Sequence, residues 1–248
     1  MENLETKTIR EIAIEAPLTI GVFEEHKIDF CCGGGLSFNE ACQNAGADPA
    51  AVLSELKEVI AKPSTPENDA IETARLAELI DHIVCTHHDF TRSEFKRLSP
   101  LAEKVAIKHG ENHPELAQIR DIVHTLGNEM FTHMQKEEMM LFPYIEKLER
   151  AAEANNIPPM PAFGSVSNPI RTMMMEHDQA NEMLHKLREV SKDYTLPEEA
   201  CPSYQGLYAG LDNIEKDFHR HVHLENNILF PRAVELEDSF YPEDAQAA

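Results

Sequence analysis

The sequence predicts an all-α protein, a small helical N-terminal domain followed by a four-helix bundle. Three observations carry the prediction. Long stretches in the last two-thirds of the chain place apolar residues at helical spacing, no segment gives a competing strand signal, and one motif occurs twice. Residues 133–143 read His-Met-Gln-Lys-Glu-Glu-Met-Met-Leu-Phe-Pro, and residues 221–231 read His-Val-His-Leu-Glu-Asn-Asn-Ile-Leu-Phe-Pro. Each sets a Glu four residues after a His, on the same helical face, and follows it with Leu-Phe-Pro.

Taken in order, residues 8–62 give short amphipathic helices, marked by Ile9, Ile12 and Ile14, by Ile20, Val22 and Phe23, and by Val52, Leu53, Leu56, Val59 and Ile60. None is long enough to stand alone, so they must pack on one another. They are interrupted by Asp29-Phe30-Cys31-Cys32-Gly33-Gly34-Gly35, where the glycines open backbone conformations closed to other residues. Ser37 and Glu40 have the spacing of a capping box that restarts a helix. Residues 62–68 carry two prolines and no apolar side chain, the composition of a linker. The expected division is a dicysteine domain over 1–62, a linker over 63–69 and a bundle over 70–248.

Beyond the linker, four long helices are expected over residues 70–98, 115–154, 169–192 and 197–237. The proline-bearing stretch 155–168 reads as a crossover loop, and Pro169 suits a helical first turn. Four long amphipathic helices form a bundle, a fold that builds metal sites from side chains on facing helices.

Bulk properties narrow the function. The 248 residues are 42% apolar, enough for a packed core, and the 44 acidic against 22 basic residues argue against nucleic acid or an anionic membrane as partner. The same field attracts cations. No apolar run reaches a membrane-spanning length of about 18 residues, and the start lacks a signal-peptide layout, so a cytoplasmic location is expected. Five cysteines, two of them adjacent, suit reduced thiols better than a disulfide framework.

The two His-Glu pairs, His133 with Glu137 and His221 with Glu225, need partners on the other two helices. The third helix offers His177 within Met-Glu-His-Asp, and the first offers His87 and His88. His177 lies 44 positions before His221 and His88 lies 45 before His133, so in a bundle of two related hairpins His88 is the closer match, by a slim margin over His87 at 46. Four imidazoles and two carboxylates, with both carboxylates and one solvent oxygen bridging, give each of two metals two nitrogens and three oxygens. Such a mixed set with a position open suits iron better than zinc, calcium or magnesium. A non-haem di-iron centre with an oxo or hydroxo bridge is therefore expected on His88, His133, Glu137, His177, His221 and Glu225.

Other residues receive lesser roles. Cys31 and Cys32 are candidates for iron transfer or redox work, since thiols in a flexible loop can bind or pass on iron. Glu129 and Glu176, one turn before His133 and adjacent to His177, are candidates to orient a ligand or relay protons. Cys42, Cys85 and Cys201 are expected as buried filler, Met139, Met140 and Met173 to Met175 as flexible core, and His82, His87, His124, His185, His219 and His223 as surface or supporting residues.

These residues resemble a known family. The bundle is similar to a hemerythrin-like domain, and its combination with Ile28-Asp29-Phe30-Cys31-Cys32-Gly33-Gly34 resembles the RIC or ScdA-type di-iron proteins that repair iron centres. The likeness runs over nearly the whole chain and also includes Arg92 and Glu94 near His88, residues 133–143, Glu176-His177-Asp178 and residues 221–231; Gly35 and His26 depart from it. The resemblance implies repair of iron–sulfur clusters damaged by nitrosative or oxidative stress, iron donation from the di-iron centre, damaged cluster proteins as partners, and a homodimer. Open positions on the metals also fit a nitric oxide reductase or a reversible carrier or sensor of oxygen or nitric oxide. Iron donation is the leading expectation.

Overall fold

Polar caps and buried isoleucines and phenylalanines decide where the N-terminal helices begin and what they cover. The computed structural model describes residues 4–61 and 73–241, so the expected linker at 63–69 lies outside the described residues. Helices α1 (Ile9–Glu15) and α3 (Phe38–Ala45) both open with a full capping box, Thr8 with Glu11 and Ser37 with Glu40. The two caps also meet in an isolated β-bridge between Thr8 and Ser37, and no β-strand occurs among the described residues. Helix α2 (Ile20–Glu25) follows a short 3₁₀ turn, and α4 (Pro49–Ile60) starts with Asp48 as cap and Pro49 in its first turn. Gly46, at φ +68°, ends α3 in a conformation that a β-carbon would strain. The faces these helices share bury Ile9, Ile12, Phe23, Phe30, Phe38, Val52 and Leu56 in one cluster. Each such side chain contributes about 1.5–3 kcal/mol on burial, which is what short helices need to persist.

The remainder is α5 (Leu76–His82), α6 (Asp89–His109), α7 (Glu115–Lys136), α8 (Phe142–Glu153), α9 (Ser167–Val190), α10 (Pro202–His223) and α11 (Phe230–Phe240). Three single π-helical turns join consecutive segments: Ile83–His88 between α5 and α6, Glu137–Leu141 between α7 and α8, and Leu224–Leu229 between α10 and α11. The first long helix therefore does not end at residue 98, as expected, but runs on to His109. Pro100 sits inside α6, at a usual cost of about 3 kcal/mol, but Phe95, Leu98, Ala102 and Val105 are buried on either side of it and their packing offsets that cost. The fourth helix begins at Pro202 rather than Pro197 and runs on to Phe240.

Contacts divide the chain into two compact units. One is the described part of residues 1–81, 145–167 and 219–248; the other is residues 82–144 and 168–218. In the first unit, carboxylates fill helix starts: Glu149 accepts from the Leu76 and Ala77 backbone N–H groups, and Glu237 from that of Val166. In the second, Gly127 on α7 meets Phe95 on α6 so closely that a β-carbon there would lie 2.9 Å from the ring. After α9 the chain turns through Lys192, Asp193 and Tyr194, all with φ between 53° and 57°. Left-handed backbone costs non-glycine residues about 1–2 kcal/mol each. The turn is held by Tyr194, whose hydroxyl donates to Glu215 at 2.8 Å while Arg188 lies over its ring and pairs with Glu215. No helix among the described residues is long and apolar enough to cross a membrane.

Candidate metal centre

The three π turns fall on the predicted ligands. Ile83–His88 ends on His88, Glu137–Leu141 begins on Glu137, and Leu224–Leu229 contains Glu225. A π turn fits one extra residue into the helix and re-aims the side chains around it, and such turns concentrate at functional sites. Leu-Phe-Pro follows two of them. Pro143 and Pro231 lie at the second position of the next α-segment, where a missing N–H is least costly, while Leu141, Phe142, Leu229 and Phe230 are buried. The repeated tripeptide thus closes the π turn as well as packing the core.

In the second unit, Glu137 is fully buried between two imidazoles. Its Oε2 lies 3.4 Å from His88 Nε2 and its Oε1 3.3 Å from His133 Nε2. His177 Nε2 lies 3.0 Å from His133 Nε2. The outer nitrogens are engaged elsewhere: His88 Nδ1 faces Glu138 at 2.6 Å, and His133 Nδ1 faces Glu176 at 3.0 Å. Arg92 donates to Glu138 and Lys136 to Glu176, so each buttressing carboxylate is itself held. The hydrogen bond from His133 is the main reason the Glu176 carboxyl falls to about 2, against desolvation that opposes it. Glu138 is lowered too, by His88 and Arg92, with burial opposing. In the first unit, His221 Nε2 lies 2.9 Å from Glu225 Oε1, both fully buried.

This donor set fits a cation. With Nδ1–H given to a carboxylate, a neutral imidazole turns the lone pair of Nε2 inward. The Nε2 atoms of His133, so oriented, and of His177 lie 3.0 Å apart, the separation of two ligands at right angles on a metal with bonds of about 2.1 Å. Ligand atoms of His133, Glu137 and His177 all lie within 4.8 Å of one another. A buried carboxylate facing such nitrogens is compensated by a cation and by little else.

The other sequence-level candidates take distinct places. His87 turns its Nδ1 to Asp217 at 2.9 Å, leaving His88 beside Glu137. Glu176 meets His133, whereas Glu129 is exposed and lines, with Lys136, Glu176 and Gln179, a cleft of about 340 Å³ next to His133. Cys31 is buried and Cys32 half-buried, and the carboxylate of Asp29 accepts from both of their backbone N–H groups at 3.0 Å. The bond to Cys32, then burial, hold the Cys31 thiol well above the usual range. The loop is tied to the stretch that carries His221 and Glu225: Asn227 donates to the Phe30 carbonyl at 3.0 Å and to His223 Nδ1 at 2.9 Å, and Phe30 packs on His219 and His223. His221 and Glu225 thus interleave with a second pair, His223 and Asn227, that serves the dicysteine loop.

Several expectations are corrected. Cys85 is exposed and Cys201 half-buried rather than buried filler. Cys201 sits at the start of α10 with its sulfur 3.2 Å from His109 Nε2; the Tyr204 backbone N–H and then His109 bring its thiol down to about 7. Of the methionines expected in the core, only Met173 is buried; Met139 and Met175, two residues from Glu137 and His177 and so turned away from them, are 80% and 58% exposed, and Met140 and Met174 are exposed by 40% and 38%. Glu138 was missed. It adjoins a carboxylate ligand of the same type, and the one sequence signal was its mirror relation to Glu176 beside His177.

The geometry agrees with known sequences. Residues 79–233 match the hemerythrin HHE cation-binding domain, and residues 5–60 match the ScdA N-terminal domain, described as a domain of unknown function. The fold is therefore an all-α one with a hemerythrin-like bundle. Similar proteins include the iron–sulfur cluster repair protein ScdA of Staphylococcus haemolyticus, 35% identical over 90% of this chain and 95% of the relative. The probable iron–sulfur cluster repair protein of Haemophilus influenzae is 32% identical over 91% and 96%. The iron–sulfur cluster repair protein YtfE of Citrobacter koseri is 33% identical over 90% and 94%. With both chains covered almost end to end, this chain belongs to the ScdA/YtfE family of iron–sulfur cluster repair proteins.

Proposed function

We propose that this protein repairs damaged iron–sulfur clusters by donating iron. The iron is held as a pair on His88, His133, Glu137, His177, His221 and Glu225. One observation carries the reading: buried Glu137 lies within 3.4 Å of two imidazoles whose outer nitrogens are already fixed by carboxylates. Such a carboxylate is suited to share its two oxygens between two ions. Iron supplies the cargo that a depleted cluster lacks. The chain's own part is to hold and to release it. Glu138 and Glu176 keep the imidazoles oriented and enrich their basicity through hydrogen bonds. Four imidazoles and two carboxylates leave positions on each ion for an acceptor to attack, which favours exchange over permanent retention.

The remaining parts of the proposal are a dicysteine domain over 1–62 joined by 63–69 to the bundle, a cytoplasmic location, a homodimer, and damaged cluster proteins as partners. The names of the relatives support the partners. The deciding experiment measures iron in the purified protein and follows its transfer to a cluster-depleted dehydratase. About two irons per chain, lost to the acceptor as its activity returns, are expected. Retention of all iron in the presence of the acceptor overturns donation, and two irons still bound by a Glu137→Gln, Glu225→Gln variant overturn the ligand set.

A further inference from the structure

Two stretches next to the ligands are mirror images. Residues 137–140 read Glu-Glu-Met-Met and residues 174–177 read Met-Met-Glu-His. Outward from Glu137 come Glu138, bonded to His88, and then Met139 and Met140; outward from His177 come Glu176, bonded to His133, and then Met175 and Met174. The methionines are exposed by 80% at 139, 40% at 140, 58% at 175 and 38% at 174, while Met130, Met134 and Met173 in the same unit are buried. At about 1.5 Å of rise per residue, each exposed pair begins roughly 3 Å along the helix from its ligand. Met139 and Met175 stand mostly in solvent, where burial stabilises them little, and Met140 and Met174 keep about two-fifths of their surface exposed.

We propose that Met139, Met140, Met174 and Met175 form a reversible oxidation site that consumes peroxides at the approach to the ligands. The thioether sulfur attacks one peroxide oxygen, the O–O bond breaks, and the sulfur takes that oxygen as a sulfoxide. The sulfur is oxidised by two electrons, the peroxide is reduced, and the leaving hydroxide takes a proton to become water. Sulfoxides are returned to thioethers by methionine sulfoxide reductases, which need access to the side chain. Exposure supplies that access, and the polar product stays in water rather than in a core it would disrupt. Carboxylates and imidazoles that must keep their form are thereby preceded by groups whose oxidation is repairable. The protective role rests on the proposed iron site, where iron would supply the redox chemistry that endangers the side chains holding it; the oxidation site itself does not.

The test uses the full chain with hydrogen peroxide and peptide mass spectrometry. In the protein stripped of metal, sulfoxide is expected at Met139 and Met175 first, at Met140 and Met174 next, and at Met130, Met134 and Met173 at least tenfold more slowly. Equal rates at exposed and buried positions overturn the oxidation site. In the iron-loaded protein, replacing all four by leucine, which keeps volume and helix propensity, is expected to speed oxidation of His133 and His177 severalfold. Met160 is 64% exposed but distant in sequence from any ligand, and Met160→Leu is the control expected to leave that rate unchanged. Ligand oxidation as slow in the fourfold variant as in the parent overturns protection. An iron content near zero before peroxide is added refutes the site proposed above, and the metal-free arm still decides the oxidation site.

Discussion

Asn227 offers the sharpest test of how the dicysteine loop is held. Its side-chain amide donates to the Phe30 carbonyl at 3.0 Å and to His223 Nδ1 at 2.9 Å, and it is buried. Asn227→Ala strips both acceptors of their donor where water does not readily replace it. A buried acceptor left unsatisfied costs about 1–3 kcal/mol, so the pair is worth about 2–6 kcal/mol in all. The loss falls on the segment that carries Cys31, which is buried and is followed by Cys32, Gly33 and Gly34. If it appears as local opening, the open fraction rises by roughly one and a half to four and a half orders of magnitude. Labelling with N-ethylmaleimide at fixed pH, read at Cys31 by peptide mass spectrometry, measures that fraction directly. Urea unfolding followed by circular dichroism gives the global loss beside it. A Cys31 labelling rate within threefold of the parent, whatever the global stability, refutes the argument that Asn227 holds the loop.

Three further outcomes are expected. Glu138→Gln and Glu176→Gln remove the charged partners of His88 and His133 and should each weaken metal binding about 10- to 100-fold, read by competition with a chelator, while the helical circular dichroism stays unchanged. Cys201 should be alkylated by iodoacetamide with a midpoint near pH 7, against a usual value of 9.0, and His109→Ala should move that midpoint upward. Because folding lowers this pKa, its contribution to stability is complete above the unfolded value and is lost as pH falls through 7. Gly127→Ala gains about 1 kcal/mol of helix propensity but drives a β-carbon to 2.9 Å from Phe95; overpacking of about 1–3 kcal/mol should exceed the gain and lower the thermal midpoint.

Much of the fold was legible because it rests on local rules. The Ser37 and Glu40 capping box is formed as its spacing requires, and the second long helix runs from Glu115 through a π turn to Glu153, close to the expected 115–154. The His-Glu pairs were legible for the same reason, since a spacing of four is a statement about one helix. The rest depends on groups far apart in sequence. The Cys201–His109 contact spans 92 positions and Glu176–His133 spans 43, and no periodicity reports either. The first long helix was expected to end at residue 98 but continues through Pro100 to His109, because the packing of Phe95, Leu98, Ala102 and Val105 is not visible in sequence. The π turns escaped because an i to i+5 turn has no propensity signature of its own; the proline after Leu-Phe was the one mark they left.

Those turns give single-residue deletions an unusual meaning. Losing one residue from an ordinary helix shifts everything beyond it by about 100° and damages its packing. Losing one from Glu137–Leu141 or Leu224–Leu229 would instead restore an unbroken α-helical hydrogen-bond ladder. The backbone would become more regular just as every residue beyond the turn was rotated about the helix axis relative to Glu137 or Glu225. In this protein a perfect helix and a working site are alternatives, and the surplus residue in each turn is what keeps the chain on the side of the site.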